Sequence, residues 1–262
     1  MTLSASERRL IKSLERKKER YATGLFIIDG IKPVEEALMA RQPLRELLYM
    51  DDLSGTDITR ILTMAQTAEI SCRGIPRSQF RAISSLEQPE GVVAVAPLPT
   101  ADRLAPDSLD CPAVLLWQIN DPGNLGALLR ASRWFGVRTV CLSIDSVDVY
   151  NPKVVRASAG ALFHLQIRQD CELAALISAI RRAGGVVYAT DAAGQTPLES
   201  VSPPARWGLL LGSESHGLPR DIQAMADDVL RIPRPGSGES LNVAMAAGIM
   251  LYHLVISGRA SC

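Results

Sequence analysis

No excess of either charge runs through this chain: Lys plus Arg and Asp plus Glu each number 28. No global field therefore draws it to nucleic acid or to a membrane, and an RNA or DNA partner would have to be met by local clusters. Aromatic residues are only 5%. The cysteines (Cys72, Cys111, Cys141, Cys171 and Cys262) are odd in number, widely spaced and contain no CxxC pair. That argues against a disulfide or zinc framework and for reduced thiols. The opening MTLSASERRL carries charges where a signal peptide needs an apolar run, so a soluble, cytoplasmic protein is expected. There is no GxGxxG and no P-loop ending in Lys-Ser/Thr, which leaves dinucleotides and nucleoside triphosphates without support.

What is present is core-forming material. Apolar residues make up 47% of 262 positions, enough for two domains. Arg8 to Arg20 holds seven basic side chains against two acidic ones, with Leu10, Ile11 and Leu14 as a narrow stripe. It reads as a short amphipathic helix, either a solvated surface element or an arm that contacts phosphates. Between Leu25 and Pro97, strands are expected at Leu25 to Ile28, Leu47 to Met50 and Val92 to Ala96. Helices are expected at Pro33 to Ala40, Ile58 to Ala68 and Ser78 to Leu86. Residues 1–97 thus form a basic arm and a small α/β domain. Pro97 to Pro112 carries four prolines and no apolar period, so 98–112 reads as a linker.

From 113 to 262 the pattern changes. Ala113 to Ile119 is a near-continuous apolar run, as in a strand buried on both faces. Further strands are expected at Val137 to Leu142, Val186 to Thr190, Gly208 to Leu211 and Val229 to Ile232. Helices are expected at Leu125 to Phe135, Pro152 to Ala161, Leu173 to Arg182, Pro219 to Ala224 and Leu241 to Ile256. Such alternation implies a parallel sheet covered on both faces, with ligands at the carboxyl ends of its strands.

Three loops stand out. In Ile232 to Leu254, prolines and glycines form an irregular loop, Ser240 stands where a helix N-cap belongs, and the following helix has no Asp, Glu, Lys or Arg. Apolar on every face, that helix must be enclosed, either by its own domain alone or by its own domain and a second subunit. It is too short, and too interrupted by Asn242 and His253, for a membrane span. Asn124 to Arg130 opens the first helix of the domain, with Arg130 on its second turn and Gly126 inside it, a position that costs about 1 kcal/mol against alanine. Leu211 to Gly217, LGSESHG, follows a strand directly. Its Ser, Glu and His invite a hydrolase reading, but GxSxG is absent.

Together NDPGNLGALLRASRWFG, LLLGSESHGLP and IPRPGSGESLNVAMAAGI resemble the three ordered motifs of the SpoU (TrmH-type) RNA ribose 2′-O-methyltransferases of the SPOUT superfamily. VYNPKVVRASAGALFHL is similar to that family's second helix and following strand. FIIDGIKPVEEAL resembles the L30e-like substrate-binding domain of its rRNA-modifying branch. The resemblance implies an L30e-like α/β domain followed by a parallel-sheet SPOUT domain with a deep trefoil knot, working as a homodimer. It implies S-adenosylmethionine held by Gly212, Ile232 and Leu241, with Leu211 and Thr190 beside them, and no metal. It makes Arg130 the central catalytic residue, with Asn124 and Glu214 bracing the site and Ser240 and Asn242 bonding near the ribose.

The implied substrate is structured RNA, 23S-type rRNA above all. A tRNA substrate and a non-catalytic RNA-binding or ribosome-assembly protein of the same fold are the alternatives. A Rossmann methyltransferase fits poorly, because DPGNLG does not match its cofactor loop. Arg130 is better suited to orient and stabilise charge than to accept a proton, since a guanidinium stays protonated.

Overall fold

In the computed structural model, residues 2–99, 109–213, 215–237 and 240–259 are described. The elements in order are α1 (Ala5–Ser13), α2 (Lys17–Thr23), β1 (Leu25–Asp29), α3 (Ile31–Met39), β2 (Glu46–Met50), α4 (Thr56–Thr67), β3 (Cys72–Ile75), α5 (Arg77–Ile83) and β4 (Val92–Pro97). There follow β5 (Ala113–Leu116), α6 (Pro122–Phe135), β6 (Thr139–Ser143), α7 (Pro152–Ala157), β7 (Gln166–Cys171), α8 (Leu173–Arg182) and β8 (Val186–Thr190). The last are β9 (Thr196–Pro197), β10 (Trp207–Leu211), α9 (Arg220–Gln223), β11 (Asp228–Arg231) and α10 (Val243–Arg259). Two compact units result, Met1–Thr100 with Asp148–His164, and Ala101–Val147 with Leu165–Cys262. The division departs from a simple sequence cut, because Asp148–His164 packs with the first unit.

The first unit is built on a mixed sheet in the order β1-β4-β2-β3, where only β2 and β3 run parallel. β3, CRGI, has no apolar run to announce it. The basic arm is two helices rather than one. Ser4 caps α1 through a reciprocal box with Glu7, and Gly24 closes α2 in the left-handed region at φ 67°. It is not merely a solvated element either, since Ile11 and Leu14 are buried in the core with Phe80 and Val93. Arg20 is only 2% exposed. Its guanidinium donates to Asp148 and to the carbonyls of Leu14 and Glu15, and so does not reach a phosphate. Asp148 begins the segment that docks here: α7 lies along β1, Tyr150 meets Phe26 at 4.9 Å, and His164 meets Glu36 at 3.1 Å. A Cβ at Gly160 would come within 2.2 Å of the Glu36 side chain, so that approach requires glycine.

The second unit holds a seven-stranded sheet in the order β7-β6-β5-β10-β8-β11-β9, every pair parallel. Every residue of β5, β6 and β10 is buried, as the apolar sequences of β5 and β10 require. The edges are different. β7 reads QIRQDC and β9 is two residues long, so both lack the apolar signature, and short or polar edges discourage further pairing. Helix α8 covers β6, β8 and β10 with Leu173, Leu176, Ile177 and Ile180, while α6 and α10 pack on each other.

Helix α10 is not enclosed on every face in the single chain. Val243, Ala247, Met250, Leu251 and Leu254 are buried, whereas Met245, Ile249, Tyr252 and Ile256 are 39–59% exposed. The exposed set recurs at three- and four-residue spacing and so forms one apolar stripe. His253 is half-buried and has a partner, its Nε2 lying 2.9 Å from the Val201 carbonyl.

Candidate active site

The carboxyl ends of β8, β10 and β11 open into a cleft of about 800 Å³ in the second unit. Parallel strands point their ends in one direction, so the segments leaving them gather at a single edge of the sheet. The wall combines apolar Leu211, Ile232, Leu241, Val243 and Met250 with the polar side chains of Asn124, Thr190, Ser240 and Asn242. Eight of the ten sequence candidates thus line it: Asn124, Thr190, Leu211, Gly212, Ile232, Ser240, Leu241 and Asn242.

Asn242 performs the capping expected of Ser240. Its Oδ1 accepts from the amides of Ala244 at 2.9 Å and Met245 at 3.3 Å, so α10 starts at Val243. Ser240 lies two residues upstream of that cap, in the irregular segment. Asn242 also uses its other end, Nδ2 donating to Asn124 Oδ1 at 2.8 Å. Asn124 itself is fixed on α6 by Asp121, whose carboxylate accepts from the Asn124 amide at 2.7 Å, with Pro122 opening the helix. Because α6 begins three residues earlier than expected, Arg130 stands on its third turn, not its second.

The segment after β10 turns back on itself. Ser213 and Gly217 exchange backbone hydrogen bonds of 3.2 and 2.9 Å, and Gly217 adopts φ 65°. A Cβ on Gly212 would lie 2.2 Å from the Gly217 carbonyl carbon and 2.5 Å from the Leu218 nitrogen. The first requirement for glycine here is therefore the fold of this loop, beyond any approach of a ligand. Thr190, at the end of β8, gives its hydroxyl to the Leu210 carbonyl at 3.2 Å. Glu214 lies outside the described residues.

Arg130 does not line the cleft. It sits on the exposed face of α6, six residues beyond Asn124, which is about 9 Å along the axis and on another side of the helix. Its guanidinium makes no hydrogen bond or ion pair with a described residue. Sequence reasoning missed Asp191, His216, Arg234, Ala246 and Met250, all of which line the cleft. Asp191 and His216 flank positions already singled out, and adjacency to Thr190 and Gly217 was the available signal. Met250 carried none, because its place two turns into α10 looks like any core position.

Residues 112–252 match the family model described as the SpoU rRNA Methylase family, and residues 8–94 match the MRM3-like substrate binding domain. The chain is 32% identical over 243 residues to 23S rRNA (guanosine(2553)-2'-O)-methyltransferase RlmP of Bacillus subtilis, covering 93% of each. It is 32% identical over 257 residues to the 23S rRNA (uridine(2479)-2'-O)-methyltransferase of Streptomyces viridochromogenes, covering 94% of this chain and 88% of that one. The structure of the SpoU methyltransferase AviRb from Streptomyces viridochromogenes, solved with AdoMet, superposes with a TM-score of 0.84 at 28% identity, over 98% of this chain and 99% of that one.

Proposed function

The chain belongs to the SpoU rRNA methylase family, and from that premise we propose that it methylates a ribose 2′-hydroxyl of 23S-type rRNA, using S-adenosylmethionine. The observation that carries this reading is the cleft itself, where three segments far apart in sequence meet at the strand ends and Asn242 is bonded to Asn124. The cofactor fits the residues present. A volume of about 800 Å³ lies in the range of small-molecule sites. Leu211, Ile232, Leu241 and Met250 offer an apolar slot for an adenine ring, and the backbone around Gly212 and Ile232 offers hydrogen bonds. When bound, S-adenosylmethionine supplies an electrophilic methyl carbon on a cationic sulfonium.

The chain's own work is to hold the hydroxyl and ease its deprotonation. Arg130, unpaired with any described residue, is free to grip the phosphate beside the target ribose and stabilise charge as the oxygen attacks. It cannot take the proton, because guanidinium stays protonated in proteins. Water or a substrate phosphate accepts it. Ser240 and Asn242 hydrogen-bond near the ribose, and Asn124 keeps Asn242 oriented. Glu214 belongs to the site in this reading by its place in the second motif.

The domain matched at residues 8–94 favours rRNA over tRNA, since the two relatives named as 23S rRNA methyltransferases align over 93% and 94% of this chain and so share it. Arg16, Lys17 and Lys18 on the exposed surface of the arm offer phosphate contacts. The uncharged stripe of Met245, Ile249, Tyr252 and Ile256 is suited to a second copy of the chain, and Ile249→Asp is expected to give a monomer in sedimentation. A trefoil knot through the cleft segments belongs to the same reading. So does a cytoplasmic setting, in which Cys111, Cys141 and Cys171 stay free thiols.

The test is transfer of labelled methyl from S-adenosylmethionine to deproteinised rRNA and tRNA, followed by alkaline hydrolysis. Label in alkali-resistant dinucleotides of 23S rRNA is expected, because a methylated 2′-oxygen cannot cleave the adjoining phosphodiester. Label confined to tRNA, or to bases, overturns the proposal.

A further inference from the structure

Trp134 is 85% exposed, more than any other large apolar side chain among the described residues. It does nothing for the fold. Helix α6 buries Leu125, Leu128, Leu129 and Ser132, and Trp134 lies about 200° around the helix from Ser132. Of the other two tryptophans, Trp207 is 3% exposed and Trp117 is half-buried against the core. The indole is therefore open to a group from outside the chain.

Its surroundings identify the kind of partner. Arg130 is four residues earlier on the same face, which places the two Cβ atoms about 5–6 Å apart. Arg138, just beyond the helix end, is exposed too. Neither guanidinium is bonded to a described residue, and α6 contains no Asp or Glu. An aromatic face beside unpaired cations, on a helix that carries no carboxylate, complements a phosphodiester chain with a base splayed from it. It does not suit a second copy of the chain. A copy seated symmetrically on this face would set Arg130 and Arg138 against their own counterparts, and like charges placed opposite each other work against such a pairing. The stripe on α10, which holds no charge, suits that role.

We propose that Trp134 is a stacking platform for a nucleobase of the RNA substrate, close to the nucleotide whose phosphate Arg130 holds. The inference rests on the RNA methyltransferase reading and adds a substrate-positioning residue to it. With the base stacked on the indole, its backbone is held beside Arg130, and rotation of the target strand is restrained. Stacking accepts any base, so Trp134 supplies affinity without reading sequence.

The experiment uses full-length protein, S-adenosylhomocysteine and deproteinised 23S rRNA. Stacking quenches indole emission, and Trp134 is the one tryptophan open to a base. RNA is expected to quench the wild type, whereas Trp134→Phe is expected to bind RNA without the quench. In methyl transfer, Trp134→Ala is expected to raise the KM for RNA about 5- to 150-fold, with kcat and cofactor affinity unchanged. Trp134→Phe, which keeps an aromatic face, is expected to retain most of the affinity. An unchanged KM in Trp134→Ala overturns the proposal, as does an equal quench in Trp134→Phe. A wild-type dimer that becomes monomeric on Trp134→Ala overturns it in favour of a subunit contact. Failure of the wild type to methylate any rRNA would instead count against the activity, while the quench still decides the role of Trp134.

Discussion

Asn242 joins two tasks in one side chain: its Oδ1 caps α10, and its Nδ2 donates at 2.8 Å to Asn124 Oδ1 on α6, 118 residues away in sequence. The tasks separate by substitution. Asn242→Ala loses both, with about 1 kcal/mol of stability for the cap, read by urea unfolding. Asn242→Asp keeps the acceptor and adds a charge that favours a helix N-terminus, so its stability should stay near wild type. It lacks the Nδ2 donor and sets a carboxylate against Asn124 Oδ1, so methyl transfer is expected to fall at least tenfold. Full activity in Asn242→Asp would show that the bridge between the two segments is dispensable.

Gly212→Ala places a methyl group where the backbone of Gly217 and Leu218 already lies, at 2.2 to 2.5 Å. Neither neighbour is a flexible side chain, so the loop must open. The cleft then loses one wall, and affinity for S-adenosylmethionine is expected to drop more than tenfold in calorimetry. Unaltered affinity would mean that the loop shape is irrelevant to the cofactor.

Arg20 and Asp148 are 2% and 3% exposed and form an ion pair within the first unit. Removing one partner leaves the other charged and buried, so Arg20→Met is expected to cost about 3–5 kcal/mol in urea unfolding. The double variant Arg20→Met with Asp148→Leu should regain only part of that. The carbonyls of Leu14 and Glu15, which Arg20 also satisfies, remain without their donor.

Glu7 provides a pH dependence. Hydrogen bonds from the Ser4 hydroxyl and backbone, and then from Arg73, hold its carboxyl well below the ordinary 4.5, at about 2. The folded state therefore binds this proton less readily than the unfolded state does. Its contribution is full above pH 4.5 and is lost as pH falls toward 2. Carbon-13 NMR should show Glu7 titrating near 2, with the amides of α1 losing protection over the same range. A midpoint near 4.5 would mean that the capping box and the Arg73 contact do not persist in solution.

Much of this architecture was legible because particular residues carry strong local signals. The runs AVLL and WGLLL are long enough in apolar residues to require burial on both faces, and they are central strands. The segments at Asn124, Leu211 and Ile232 announced themselves by turn residues beside such runs, and seven of their candidates meet in one cleft. What stayed hidden depends on partners distant in sequence. Arg20 looks like any charge in a basic run until Asp148 is placed beside it. Strand β7, QIRQDC, pairs at an edge and needs no apolar pattern. Ser240 and Asn242 are both good caps by residue type, and only the backbone path decides between them.

The most direct test of the account is a comparison of wild type with Arg130→Ala in two assays on the same preparation, cofactor binding and single-turnover methylation of 23S rRNA. Arg130 lies outside the cleft wall, so the variant should bind S-adenosylmethionine as the wild type does. It should also transfer methyl to the ribose at least a hundredfold more slowly, having lost the group that orients the substrate and stabilises its charge. Loss of cofactor binding together with transfer, or transfer at the wild-type rate, would contradict the division of labour between the cleft and Arg130.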